Sequence, residues 1–321
     1  MLAQTADGAY DPASGRFGSS VVGLTKQVRL IDSFTPADQE EIDARDFDLG
    51  SSSPVVFPFG NRSLVATAAK ESKIYLLDAK NLGGADHRTP LYRSERWAND
   101  AMAYGFNGMW SVMSTYVDAQ GKRWLLAPMY GPPAKNTAGL FKKSHGNVIN
   151  GSLMAFTIES RDGKPYLAPQ WISGDLDLPG VAVIANGVIF TLANGDRGST
   201  LIPGGRRGGP RGPGGRSGPP RTLPLSEVNP ADPGSERDAA WRASQLRPFE
   251  EGGQRPGQRY SGGRDTTHAV LYALDPATGD ELYTSGDSMD SWNHYGGIAL
   301  SGGNIYVSSY DARLFAFGLK K

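Results

Sequence analysis

SLVATAAK (63–70) is followed, after Glu71 and Ser72, by KIYLLDAK (73–80). Both runs have the length and the alternation of half-buried β-strands, and neither carries a helical stripe. The same pairing recurs down the chain. RWLLAPMYG (123–131) precedes GSLMAFTIE (151–159), GVIFTLANGD (187–196) precedes AVLYALDPATG (269–279), and NIYVSSYD (304–311) precedes RLFAFGLK (313–320). GSSVVGLT (18–25) reads as a fifth copy of the second member. An earlier strand stands before each pair: SPVVFP (53–58), GMWSVMSTYV (108–117), GVAVIANG (180–187) and GGIALSGG (296–303). A fourth follows most second members: VRLIDSF (28–34), PLYRS (90–94), YLAPQWIS (166–173) and ELYTS (281–285).

Aligned on Val22, Tyr75, Met154, Tyr272 and Phe315, the copies are spaced by 53, 79, 118 and 43 residues. The 118-residue gap holds a 67-residue segment, 198–264, in which 15 Gly and 10 Pro make 37% of positions, with 11 Arg and no Lys. With so little to bury, that segment cannot offset its ordering entropy and is expected to be a disordered insertion, with one short helix near DAAWRASQL (238–246). Removing it leaves a period of roughly 40–55 residues with four strands each, the sequence signature of propeller blades and not of a sandwich. The expected fold is all-β, a β-propeller of four-stranded antiparallel blades. Three blades are complete (51–95, 105–175 and 178–290), and a three-stranded one stands at each end (about 1–35, and 292–321). That makes about four and a half blades in a single domain, 1–321, an incomplete ring whose N-terminal blades are expected to be missing; the alternative is closure as a small five-bladed ring. The one helix expected outside the insertion is Ala37–Asp46.

Composition removes several function classes. Lys plus Arg and Asp plus Glu are 33 each, a balance that argues against polyanion binding as a whole-chain function, since counterion release needs a basic face. An RNA-binding role for the Arg/Gly segment ranks low, since its acids dilute the charge. There is no cysteine, hence no disulfide, thiolate metal site or Cys nucleophile. No apolar run is long enough to span a bilayer, and the first residues, MLAQTADGAYD, carry no signal-peptide pattern. The four histidines are far apart, and neither a G-x-S-x-G elbow nor a phosphate loop occurs.

The repeats resemble the pyrroloquinoline quinone (PQQ) propellers, in particular the C-terminal portion of quinoprotein alcohol dehydrogenases. ALDPATGDELYTSG (273–286) resembles the repeat motif that ends in a Trp docked between blades, with Tyr283 in the place of that Trp. AAKESKIYLLDAK (68–80) resembles the stretch whose basic residue approaches the quinone oxygens, matched by Lys70. TPADQEEIDARDFDLGSSSP (35–54) resembles the segment of the catalytic aspartate. Asp46 falls on that position, Asp48 on the second acid of lanthanide-type members, and Arg45 where a Trp is usual. QTADGAYDP (4–12) resembles a calcium-binding segment with Asp7 in the ligand position, and GMWSVMS (108–114) resembles a cofactor-contacting segment with Trp110 kept and Met109 replacing an Asn.

The resemblance implies a quinoprotein alcohol or sugar dehydrogenase relative. Asp46 would be its base, Asp7, Asp46 and Asp48 its metal ligands, Lys70 and Trp110 its cofactor contacts, PQQ with Ca2+ or a lanthanide its cofactors, and the periplasm its location. The family's calcium-binding Glu and its Trp floor belong to blades outside this chain. The other reading is a non-catalytic protein-binding or scaffold propeller, in which Asp7, Asp46 and Asp48 are turn acids and Lys70 is a solvated edge lysine. WNHYGG (292–297) is a further binding candidate or a loop packed under its blade.

Overall fold

The computed structural model describes residues 1–100, 107–195, 268–293 and 296–318. The Gly/Pro/Arg-rich insertion, with the short helix expected in it, lies outside the described residues, as do His294 and Tyr295.

Strands form where the alternating runs predict them, and they group into successive antiparallel sheets. The first sheet holds β1 (Leu2–Gln4), β4 (Val21–Leu24) and β5 (Leu30–Phe34). The second runs β6 (Val55–Phe59), β7 (Arg62–Ala68), β8 (Ile74–Asp78) and β9 (Tyr92–Arg93) in order. The third runs β10 (Ser114–Val117), β11 (Arg123–Tyr130), β13 (Gly151–Arg161) and β14 (Lys164–Ile172). The fourth is β15 (Val183–Ala185), β16 (Val188–Ala193), β17 (Val270–Leu274) and β18 (Glu281–Thr284). The last sheet is β19 (Ile298–Ser301), β20 (Asn304–Ser308) and β21 (Leu314–Gly318). These are propeller blades, and all five alignment positions from Val22 to Phe315 fall on the equivalent strand of their sheet.

Two additions were not legible in the repeat. A short hairpin, β2 (Tyr10–Asp11) with β3 (Arg16–Phe17), interrupts the first sheet. In the third, β12 (Lys143–Ser144) pairs parallel to β14 and adds a fifth strand. The helix α1 (Gln39–Ala44) lies inside the expected range. Among the described residues no helix is long and apolar enough to cross a membrane.

Strand alternation explains how the sheets stack. On β7, Leu64 and Ala66 face the third sheet, packing with Leu125 and Phe156, while Val65 faces the first, packing with Val21 and Phe34. On β11, Leu125 belongs to the core shared with the second sheet and Leu126 to the core shared with the fourth. Leu192 and Leu271 of the fourth sheet meet Val307 of the last. The second, third and fourth sheets bury both faces against their two neighbours, so their apolar runs need both sets of alternate positions.

Trp171 of β14 supplies a specific joint between blades. It is 1% exposed, and its Nε1 donates to Pro276 O of the fourth sheet at 3.1 Å. Its ring lies against Gly279, which has φ +74°; a Cβ there would stand 2.5 Å from Trp171 Cε3. Tyr283 had been expected to dock in this way. Cross-strand register places it at the same point of its repeat, since Trp171 pairs with Ala155 and Tyr283 with Ala273, but Tyr283 is 47% exposed. The turn that receives Trp171 joins the third and fourth strands of the next sheet. For Tyr283 the corresponding turn would follow Gly318, outside the described residues.

Candidate functional site

The segment Asp46-Phe47-Asp48 sets the site through its alternation. It leaves α1 through a left-handed turn at Asp46 (φ 58°), and Phe47 N donates to Ile42 O at 2.9 Å. Phe47 is fully buried. With the aromatic side chain inward, the two flanking carboxylates share the opposite side.

Lys70 comes from the end of β7. Its Nζ donates to Asp46 Oδ1 at 2.9 Å and to Asp48 Oδ1 at 2.8 Å. It is 6% exposed, as is Asp48, so the edge-lysine reading does not hold. Asn99 Nδ2 donates to Lys70 O at 3.0 Å and fixes its backbone. Asp7 stands in the loop after β1. Its neighbour Gly8 donates to Asp43 Oδ2 at 3.1 Å and accepts from Gln39 Nε2 at 3.0 Å, which ties this loop to α1. One carboxylate oxygen from each of Asp7, Asp46 and Asp48 lies within 4.8 Å of the others.

Trp110 is delivered by a close backbone approach. Gly108 has φ +79°, and a Cβ there would stand 1.8 Å from Lys70 O, so only glycine lets the loop run so near. Met109 N donates to Ala69 O at 3.2 Å, and Lys70 Nζ then sits 4.5 Å from the Trp110 ring centroid. The five residues that the resemblance gives as site residues, Asp7, Asp46, Asp48, Lys70 and Trp110, therefore meet at one place. Arg45, where the resemblance expects a Trp, points elsewhere and pairs with Glu41 at 3.3 Å.

The electrostatics are unbalanced. Four carboxylates, Asp7, Asp43, Asp46 and Asp48, stand close together, and the single ammonium of Lys70 contacts two of them, Asp46 and Asp48. Partial burial and then the fields of Asp48, Asp46 and Asp43 push the Asp7 carboxyl up to about 6, against the pull of Lys70. Burial also raises Asp48, although Lys70 hydrogen-bonds to it. Lys70 is held above the usual lysine range: burial opposes its charge, but the hydrogen bonds to Asp48 and Asp46 outweigh that. Such a set of hard oxygens with surplus negative charge is chemically suited to a hard cation.

Beside this cluster lies a cavity of about 410 Å3. Its walls are the loops at 50–53, 110–112 and 180–181, with Asn194 and Gly296. These segments stand near the first strands of four successive blades, where a propeller has its axial funnel. Trp110 belongs to both the cavity and the charged cluster. Sequence reading missed Asp43, hidden in an acidic helix, and Asn194, hidden at a strand end.

WNHYGG packs at its start, through Trp292 and Asn293, while its Gly296 lines the cavity. Trp292 stacks on Tyr310 with centroids 3.9 Å apart, and Asn293 is buried and donates to Ser308 O at 2.5 Å.

Fold and site together define a β-propeller with a charged cluster at its axial mouth. The sequence matches no protein-family model and no curated protein. Among solved structures, the chain is similar to the crystal structure of BamB from Moraxella catarrhalis, at 10% identity and a TM-score of 0.37. The alignment covers 94% of this chain and 59% of that one, so the chain spans about three fifths of the BamB chain.

Proposed function

We propose that this chain is a ligand-binding propeller whose axial mouth takes a hard cation and, beside it, a small organic molecule. The observation that carries this reading is the convergence of Asp7, Asp46 and Asp48 oxygens within 4.8 Å around a buried lysine. Three carboxylates can offer most of the six to eight oxygens that calcium takes. Asp43 completes the negative field behind Asp7.

The finer proposal is a relative of the quinoprotein alcohol or sugar dehydrogenases, exported to the periplasm. The carboxylates fit Ca2+ or a lanthanide. They fit an anionic quinone such as PQQ once that cation has offset their charge, because the Lys70 ammonium is already shared by Asp46 and Asp48. When bound, PQQ supplies the two-electron acceptor for alcohol oxidation. In that reading Asp46, half-buried and reachable from solvent, takes the proton of the substrate hydroxyl at a carboxylate oxygen. Lys70 and Trp110 orient the cofactor, and Asp7 and Asp48 hold the metal.

A second reading, a scaffold propeller that binds protein partners without catalysis, draws on apolar side chains exposed on outer strands. Leu30 and Ile31 on β5 are 44% and 68% exposed, and Leu282 on β18 is 57% exposed.

Titration with Tb3+, read by sensitised luminescence from the nearby Trp110, separates these readings. The cation site requires saturable binding that Ca2+ competes away and that Asp46→Asn weakens strongly. Addition of PQQ to the loaded protein should then give a bound-cofactor spectrum and dye-linked oxidation of alcohols. Absence of Tb3+ binding removes the cation reading and leaves the scaffold. Cation binding without quinone binding removes the dehydrogenase alone.

A further inference from the structure

The turn between β7 and β8, Lys70-Glu71-Ser72-Lys73, holds segment 38–48 at both of its ends. At one end Lys70 Nζ donates to Asp46 and Asp48. At the other, Lys73 Nζ donates at 2.6 Å to Oδ2 of Asp38, the residue before α1. Lys73 Nζ also lies 2.6 Å from Glu71 Oε2, and Tyr75 OH donates to Glu71 Oε1 at 2.6 Å. Glu71 and Tyr75 are each 1% exposed, so this bridge is rooted in the core. The turn itself is fixed, because Ser72 Oγ donates to Ala98 O at 2.6 Å and accepts from Ala98 N at 3.0 Å.

Segment 38–48 needs such a tether. α1 has six residues, too few for a helix to be stable by itself. Its apolar anchors, Ile42 and Phe47, are buried, but hydrophobic packing has no direction and tolerates small shifts. A cation site does not. α1 holds the Asp7 loop, since Gln39 Nε2 donates to Gly8 O and Gly8 N donates to Asp43 Oδ2, and it runs directly into Asp46 and Asp48. A calcium-like cation takes its oxygens at roughly 2.3–2.6 Å, so a shift of α1 by about 1 Å would remove a carboxylate from the set. Lys70 does not secure the segment once a cation competes for the Asp46 and Asp48 carboxylates that it binds. The charge-assisted hydrogen bond from Lys73 to Asp38 is short and directional, and it stands outside that competition.

We propose that Lys73 is a positioning residue of the cation site: its bridge from Glu71 to Asp38 holds α1 where the Asp7, Asp46 and Asp48 oxygens converge. The inference rests on the cation reading above and adds to it a residue that acts through Asp38.

Tb3+ titration of the full chain tests it, with luminescence lifetimes in H2O and D2O counting the waters left on the bound ion. Lys73→Met removes a positive charge, so the change in field alone would tighten Tb3+ binding, whereas loss of position loosens it. The variant should bind Tb3+ about tenfold or more weakly, as when a group that orients a metal ligand is removed. The ion should also carry about one more water, in place of the withdrawn carboxylate. Lys73→Arg can still bridge two carboxylates and should keep the wild-type hydration. Wild-type affinity or tighter binding in Lys73→Met, wild-type hydration of its bound ion, or equal losses in Lys73→Met and Lys73→Arg overturns the proposal. Thermal melting checks that Lys73→Met folds; if it does not, Asp38→Asn decides, with added water on its bound ion expected and wild-type hydration overturning. Failure of the unaltered chain to bind Tb3+ removes the cation reading and this role with it. Binding that Asp46→Asn weakens and Lys73→Met does not removes the positioning role alone.

Discussion

The joint between the third and fourth blades and the outer edge of the fourth blade are built from the same place in the repeat and behave differently. Trp171 and Tyr283 occupy equivalent cross-strand positions, each beside an irregularity in the pairing, at Ala155/Phe156 and Ala273/Leu274. Trp171 is buried against the turn Asp275–Asp280 of the next sheet, and the same turn is held by Tyr116 OH donating to Pro276 O at 2.8 Å and by Lys143 on Asp280 at 2.7 Å. Tyr283 has no such turn before it among the described residues and stays half in solvent. A repeat motif thus marks where an aromatic residue can dock, and the neighbouring blade decides whether it does.

That contrast sets the largest expected effect. Trp171→Ala opens a cavity in a closed joint and should cost about 3–5 kcal/mol in urea unfolding. Tyr283→Ala should change stability by no more than about 0.5 kcal/mol, as an exposed site does. Similar losses from both substitutions would mean that Tyr283 is docked in solution and that the two edges are equivalent.

A smaller effect follows along the chain. Residues on β11 and β13 are buried on nearly every position, whereas β19 is mostly exposed and β21 alternates between exposed and half-buried. Exchange with solvent deuterium should therefore open β19–β21 first, by local unfolding that leaves β11 and β13 protected. Uniform protection across both regions would show that the last sheet unfolds only with the whole.

Most of this architecture was legible because strand period and turn residues are local signals. The blades, their order and the alignment slot from Val22 to Phe315 come directly from recurring apolar runs. β12 was not legible: Lys143-Ser144 is polar, and it becomes a strand only because β14 offers it a free edge. The site was legible through the resemblance of 4–12, 35–54, 68–80 and 108–114 to quinoprotein segments, which singled out Asp7, Asp46, Asp48, Lys70 and Trp110; without it these acids read as turn residues and Lys70 as an edge lysine. Asp43 and Asn194 were not, since their roles depend on which loops the blades bring together. Asp43 reaches the cluster because Gly8 and Ser19 hydrogen-bond to it from the N-terminal loop. Nothing in the letters DAR (43–45) marks that contact.

The smallest effect tests the polar side of the same joint. Asp280 is exposed, and its carboxyl is held below the ordinary range first by the Lys143 hydrogen bond and then by Thr278. Because the folded pKa is depressed, its contribution is present above the unfolded value of 3.8 and is lost as pH falls through the lower, folded one. The contribution of a solvent-exposed pair is modest and screened by salt. Asp280→Asn should therefore lower the melting temperature slightly at neutral pH, less so in high salt, and should leave it unchanged under strongly acidic conditions. Another exposed pair, Arg313 with Asp290 at 2.6 Å, lies beside the last sheet and does not touch the Trp171 joint. Asp290→Asn serves as the comparison. If both variants shift the pH profile equally, the Lys143–Asp280 contact is a surface ion pair like any other, and the joint is held by Trp171 and its apolar neighbours alone.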